Sequence, residues 1–328
     1  MRKTVLQNLV VYSIAGAIVG YAARNVSWRQ VADASSHATL WLFVVASLGG
    51  FLCWFIGETI LYSRLFSYFH GPTRSRELLP TMAAFCFLQI VNSYVATSAY
   101  VLLLHTRKRV PWITGVCTLL FQAYVDVMLL SVLSLFAVAL VPTSAIRLGR
   151  NYAAGVLGAG CVIASFWLMW GARLRDGNWL RWLYERPSMM SFRMARPAHF
   201  IKLFSIRFLI VLGAGFALYG QLVSFHIRVP LVQTLALTPL IVAIGNSPFA
   251  PGGIGTTQLV FTVGFGPFAG KKDLFALSLA VSAFNLLIRT PMGLAMRAPL
   301  AEEAVEVTRE FRTKPMRLGS ALRGDPGS

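Results

Sequence analysis

Acidic residues are scarce in this chain. Against 30 Lys and Arg it carries 12 Asp and Glu in 328 residues, a formal net charge of +18, and charged residues of both signs make up only 13%. That excludes an ordinary soluble domain, whose surface needs about a quarter charged residues. Cysteine is also sparse. Cys53, Cys86, Cys117 and Cys161 fall in apolar runs with no CxxC or Cys/His spacing, so neither a disulfide framework nor a zinc site is indicated. They read as small buried hydrophobes. The five histidines stand apart and form no HExxH; His37, His70, His105 and His226 sit near the ends of apolar runs, where interfacial roles are expected. No GxSxG, P-loop or Rossmann fingerprint occurs. No metal, no cofactor and no catalytic residue is expected.

Apolar residues fill the space instead. The hydrophobic fraction is 56% and the mean hydropathy is +0.64. Apolar runs of about 20 residues, enough to span a bilayer, recur along the chain. This is the composition of an all-α integral membrane protein. The excess of Lys and Arg lies in short loops between apolar runs, the pattern of cytoplasmic loops beside anionic lipid, with no nucleic-acid-binding motif. Membrane lipid is the expected partner; nucleic acid is not. After MRK, the run Val5–Ala23 is too long for a signal peptide and reads as a retained first transmembrane helix. Residues 1–298 read as one polytopic membrane domain. Residues 299–328 read as a cytoplasmic tail, mixed-charge and helical over PLAEEAVEVTREF and partly disordered beyond. The segment DGNWLRWLYERP reads as an interfacial amphipathic helix.

Charge bias sets the topology. The apolar segments are Val5–Ala23, Ala38–Phe55, Leu79–Leu104, Ile113–Val141, Tyr152–Gly171, Ile201–Ser224, Leu231–Phe268 and Leu274–Met296. If each crossed once, Arg107, Lys108, Arg109 and the basic segment from Arg173 to Lys202 would lie outside, against the positive-inside rule. The conflict disappears if Leu79–Leu104 dips in and returns, turning at Asn92 and Ser93, and if Leu231–Phe268 does the same from the opposite face. About six full crossings plus two oppositely oriented re-entrant hairpins result, an inverted-repeat layout in which broken helices meet at a substrate site. Both termini are then cytoplasmic, and the expected location is a bacterial inner membrane.

The second of these hairpins carries the most unusual stretch, NSPFAPGGIGTTQ, from Asn246 to Gln258. Proline and glycine break helices, and non-helical backbone at membrane depth is tolerated only where protein covers it or a polar cavity accepts it. The stretch therefore reads as a hairpin tip facing a cavity. The alternative is a Pro/Gly kink between packed helices.

Pro251-Gly252-Gly253-Ile254-Gly255 resembles the Pro-Gly-Gly-x-Gly signature of the lysylphosphatidylglycerol synthase transmembrane-region family, whose members are flippase-type membrane domains. LLLHTRKRVPWITGVCTLLFQAYVDVMLL resembles a second block of that family, with Pro111 and Asp126 at its Pro and Asp. The resemblance implies a stand-alone, divergent member without the aminoacyl-transfer domain that some members carry. It also implies departures. Where the family carries acidic residues this chain has Thr97, Gln122 and Gln258, and two basic positions become Tyr100 and Ala123. Neutral groups cannot compensate a lysyl ammonium, so a neutral or anionic headgroup (sugar, polyol or phosphate) is the better expectation.

The candidate substrate cavity combines Asn92, Ser93 and Thr97 from the first hairpin with Asn246, Ser247, Pro251, Gly252, Gly253, Gly255 and Gln258 from the second. Gln122, Asp126, Asn285 and Arg289 complete it. Asp126, an acid inside an apolar run, either contacts a headgroup or pairs structurally with a base such as Arg289. Glu58 is expected to form an interfacial pair with Arg64. Arg289 lies one turn after Asn285 and is placed to snorkel. The expected function is a non-enzymic flippase or transporter of a lipid or lipid-linked intermediate. The alternatives are a non-transporting scaffold, partnered by lipid- or glycan-assembly proteins, and a membrane-embedded lipid-modifying enzyme.

Overall fold

The computed structural model describes residues 38–90, 93–108, 110–140, 189–245, 264–270 and 272–292, together with 36, 158, 160, 186, 258, 261 and 262. Their regular structure is helical. It comprises α1 (Leu40–Phe69), α2 (Ser75–Leu88), α3 (Ser93–Lys108), α4 (Trp112–Leu140), α5 (Met190–Met194), α6 (Pro197–Ser224), α7 (Leu231–Gly245) and α8 (Lys272–Met292). Four of these are long and apolar enough to cross a membrane: α1, α4 over Trp112–Leu133, α6 and α8.

The first of them is longer than the apolar run predicts. The run ends near Phe55, but α1 continues to Phe69, 30 residues in all and about 45 Å at 1.5 Å per residue. The polar residues after Phe55 are not a loop. Glu58, Thr59 and Ser63 are buried with Leu61, Tyr62, Leu65 and Phe66. Their hydroxyls are satisfied locally: Thr59 donates to the Phe55 carbonyl at 2.7 Å, and Ser63 to the Thr73 carbonyl at 2.6 Å.

Helices α1 and α6 form the most extensive contact among the described elements. Small residues set their separation. A β-carbon built on Gly50 would lie 2.5 Å from Ala217 Cβ, and one on Gly57 the same distance from Ile210 Cγ1. Facing them, a β-carbon on Gly220 would lie 2.7 Å from Ala46 Cβ, and one on Gly213 would collide with Cys53 Sγ. Without a hydrophobic drive between helices in lipid, such close backbone approach supplies the packing. The pairs 46/220, 50/217, 53/213 and 57/210 define one antiparallel register. It closes with the Thr39 amide donating to the Ser224 carbonyl at 2.8 Å and Gln221 Nε2 to Ser47 Oγ at 3.0 Å.

This antiparallel pair has two differently dressed ends. At the end where α1 finishes, Phe66 and Phe69 pack in one core with Leu78, Met82 and Phe85 of α2, Tyr100 and Leu104 of α3, Val110, Phe121 of α4 and Leu203 of α6. Arg74, Arg76, Arg193, Arg196 and Lys202 are exposed around it; we refer to it as the basic end. At the far end, Phe43 and Leu222 pack with Ile227, Val229, Leu237, Phe261, Phe265, Leu274 and Leu277.

A short helix pair lies at the basic end. α2 and α3 pack against each other, and Leu78 near the start of one shares a core with Leu104 near the finish of the other. At 14 and 16 residues, about 21 and 24 Å, each is short of the usual spanning length. The break between Leu88 and Ser93 falls where Asn92 and Ser93 predict a turn. At the far end, Phe261 and Phe265 lie in the same core as Ile227 and Val229, which precede α7.

Candidate functional site

Three long helices bring a buried ion cluster together. Glu58 stands one residue past Gly57 on α1, and Arg207 stands one turn before Ile210 on α6, so the close helix approach carries them into contact. Arg207 Nη1 donates to Glu58 Oε1. The same guanidinium meets Asp126 of α4 with both remaining faces: Nε to Oδ1 at 2.8 Å and Nη2 to Oδ2 at 3.1 Å. Gln122, one turn before Asp126, donates its Nε2 to Oδ1 at 3.0 Å. Glu58 is 5% and Arg207 8% exposed, whereas the Asp126 side chain retains 24%. The cluster is therefore closed on the α1 and α6 sides and more open at Asp126.

Its depth follows from the surface around it. The exposed apolar residues of α1 run from Leu40 to Ile60, and those of α6 from Ile201 to Val223, each about 30 Å of helix and so the thickness of a hydrocarbon core. Arg207 lies six residues from Ile201, about 9 Å inward. The cluster thus sits in the half of the span nearer the basic end. Glu58 was expected at this end of its helix. Its partner is not Arg64, however, but Arg207, because the helix continues past it and turns Glu58 inward.

Arg289 of α8 does not pair with Asp126, whose two oxygens are taken by Arg207 and Gln122. Instead its guanidinium carbon lies 5.2 Å from the centroid of the Trp54 ring. Trp54 is one turn before Glu58, so Arg289 is a close neighbour of the cluster without belonging to it. Its Nε is buried, with no hydrogen-bond partner among the described residues, while the residue as a whole is half-buried. Asn285, which shares a face with Arg289, donates to the Val281 carbonyl of its own helix at 3.0 Å.

Two of the neutral positions border this region. Gln122 is in the cluster itself. The Tyr100 ring lies 4.7 Å from Tyr62, one turn beyond Glu58. Tyr100 Oη and Gln122 Oε1 are both buried without a hydrogen-bond partner among the described residues. Thr97 is half-buried on α3 and Gln258 is buried after α7. Ser93 opens α3. Asn92, Asn246, Ser247, Pro251, Gly252, Gly253 and Gly255 lie outside the described residues, as do the N-terminal helix, the amphipathic segment and the tail. The structure therefore brings Gln122 and Asp126 together with Glu58 and places Arg289 beside them.

Arg207 is the residue that sequence reasoning missed. It follows the basic segment closely enough to read as part of it, yet SIRFLIVLGAG places it six residues inside an apolar run. An arginine at such a position faces the interior of a bundle and needs a partner; that was the available signal. Among the cysteines, Cys86 and Cys117 are buried as expected. Cys53 is exposed, a correction explained by its place at the edge of the α1–α6 seam. Among the described residues no group of three or more His, Cys, Asp or Glu could hold a metal ion.

The profile of the lysylphosphatidylglycerol synthase TM region matches residues 8–293. The chain belongs to that family. No curated protein and no solved structure matches it. Membership and the four spanning helices make this an integral membrane protein of a lipid-handling family.

Proposed function

We propose that this family member is a non-enzymic flippase that moves the polar headgroup of a lipid or lipid-linked intermediate across the membrane. The observation that carries the reading is the placement of the ion cluster. Glu58, Arg207 and Asp126 sit inside the spanning bundle, with α2 and α3 at the basic end and α7 packed on α4 and α6. The charge bias of the sequence predicts two helix pairs entering from opposite faces, and such pairs around an intramembrane polar centre would give the layout of alternating access. In this reading the basic end is cytoplasmic, the membrane is the bacterial inner membrane, and the headgroup enters at Asp126, the more exposed carboxylate.

A second reading, the non-transporting scaffold, is favoured by one fact. Arg207 is fully paired, as a purely structural lock would be. Reconstitution separates the two. Vesicles holding the purified chain and labelled lipids differing in headgroup should exchange headgroups between leaflets faster than protein-free vesicles. Asp126→Asn should slow that exchange without lowering protein yield. Equal rates with and without the protein, for every headgroup tried, would favour the scaffold.

A further inference from the structure

We propose that Arg289, held against Trp54, is the anchor for the phosphate of a membrane lipid; the proposal rests on the lipid-handling reading above and adds the chemical class of the ligand. The two intramembrane arginines differ in what neutralises them. Arg207 has two carboxylates. Among the described residues Arg289 has none, and its described partner is the face of an indole. An aromatic face attracts a cation but accepts no guanidinium hydrogen bond in the ring plane. The guanidinium's donors are therefore oriented but unspent, and Nε in particular is buried without an acceptor.

The guanidinium carbon lies over the indole face, which restrains the group. A planar guanidinium offers parallel N–H groups to a tetrahedral oxyanion, and phosphate takes them in bidentate fashion. The carboxylates nearby are not competitors, because Arg207 and Gln122 already engage Asp126 and Arg207 engages Glu58. The unpartnered Gln122 Oε1 and Tyr100 Oη border the same cluster and suit hydroxyls of a polyol or sugar attached to the phosphate. A lipid is the source because the site lies on the spanning helix α8 beside the spanning helix α1, where an acyl-linked phosphate arrives by lateral diffusion.

The test uses the full purified chain and native mass spectrometry from mixed micelles. The probes are phosphatidylglycerol and a glycosyl-diacylglycerol that lacks phosphate. The wild type should retain phosphatidylglycerol over the glycolipid by about tenfold, the scale of one charge-assisted bidentate contact. Arg289→Gln should abolish that preference, Arg289→Lys should keep part of it, and Trp54→Leu should weaken it while leaving the charge. If Arg289→Gln does not accumulate as folded protein, the Lys and Leu variants carry the test: wild-type preference in both overturns the proposal. Unchanged preference in Arg289→Gln overturns it directly. Displacement of the lipid by millimolar inorganic phosphate would assign the site to free phosphate and overturn the lipid source. Binding is read without transport. Selective binding by a chain that moves no lipid therefore sinks the flippase reading and leaves this site standing. Unchanged selectivity in Arg289→Gln sinks the site even where flipping persists.

Discussion

Two arginines that meet α1 one turn apart, at Glu58 and at Trp54, are held in opposite ways. Arg207 is locked by Glu58 and Asp126; Arg289 rests on Trp54 with a donor to spare. A buried cation with both carboxylates in place is a joint, since removing the arginine strands the two acids. A buried charge with only an aromatic face is a reserve of binding capacity. The contrast divides one polar region into a part that holds α1, α4 and α6 together, with Asp126 at its more open edge, and a part whose guanidinium donors are unspent.

The largest effect should come from breaking the joint. Arg207→Met would leave Glu58 and Asp126 facing each other without a cation, at a cost of about 3–5 kcal/mol. We expect little folded protein, read as monodisperse yield in detergent. Wild-type yield would remove the cluster from the account of how the helices are held. Next is the seam that positions it. Gly50→Leu adds a side chain where even a β-carbon would lie 2.5 Å from Ala217 Cβ. The helices must separate, with a loss of about 1–3 kcal/mol for overpacking, read as a lower melting temperature. Gly49, with nothing within 4 Å of a built β-carbon, is the control: Gly49→Leu should be near neutral.

A smaller effect is expected at Gln122, which supports Asp126 through one hydrogen bond. Gln122→Ala should cost about 1–2 kcal/mol, the range for a bond to a charged group, and change headgroup exchange less than Asp126→Asn does. The smallest effect lies outside the membrane span. His70 donates or accepts at 2.7 Å with Thr118 Oγ1, and burial holds its pKa below the usual 6.5, opposed by a hydrogen bond to the Thr114 backbone. A depressed histidine favours the neutral form, so its contribution is present above the unfolded pKa and is lost as pH falls below about 6.5. Melting temperature should fall from pH 7.5 to pH 5.5, and the slope should be shallower in His70→Gln.

How much of this was legible in the sequence depends on which force set each feature. Spanning runs, the helix break near Ser93 and the charge-biased ends were legible because hydropathy and breakers act locally. The true length of α1 was not. Glu58, Thr59 and Ser63 look like the end of an apolar run, and only the packing of α2, α4 and α6 around α1 makes them interior. The pairing of Asp126 was likewise misdirected toward Arg289. Both arginines are plausible partners in one dimension. The choice is made by four close contacts along the α1–α6 seam, which depend on register between segments more than 140 residues apart. That seam was visible only as glycines scattered in two apolar runs.

In the proposed function the cluster at Asp126 serves lipid headgroup movement. Its most direct test compares wild type and Asp126→Asn in vesicles carrying headgroup-labelled phospholipid, with leaflet exchange read by quenching of the outer label. Asn keeps the size and the Gln122 contact, and Arg207 retains Glu58, so both proteins should reconstitute. Fast exchange is expected for wild type and a loss of about tenfold or more for Asp126→Asn, the scale of one lost charge-assisted contact. Equal, fast exchange by the two proteins would contradict it.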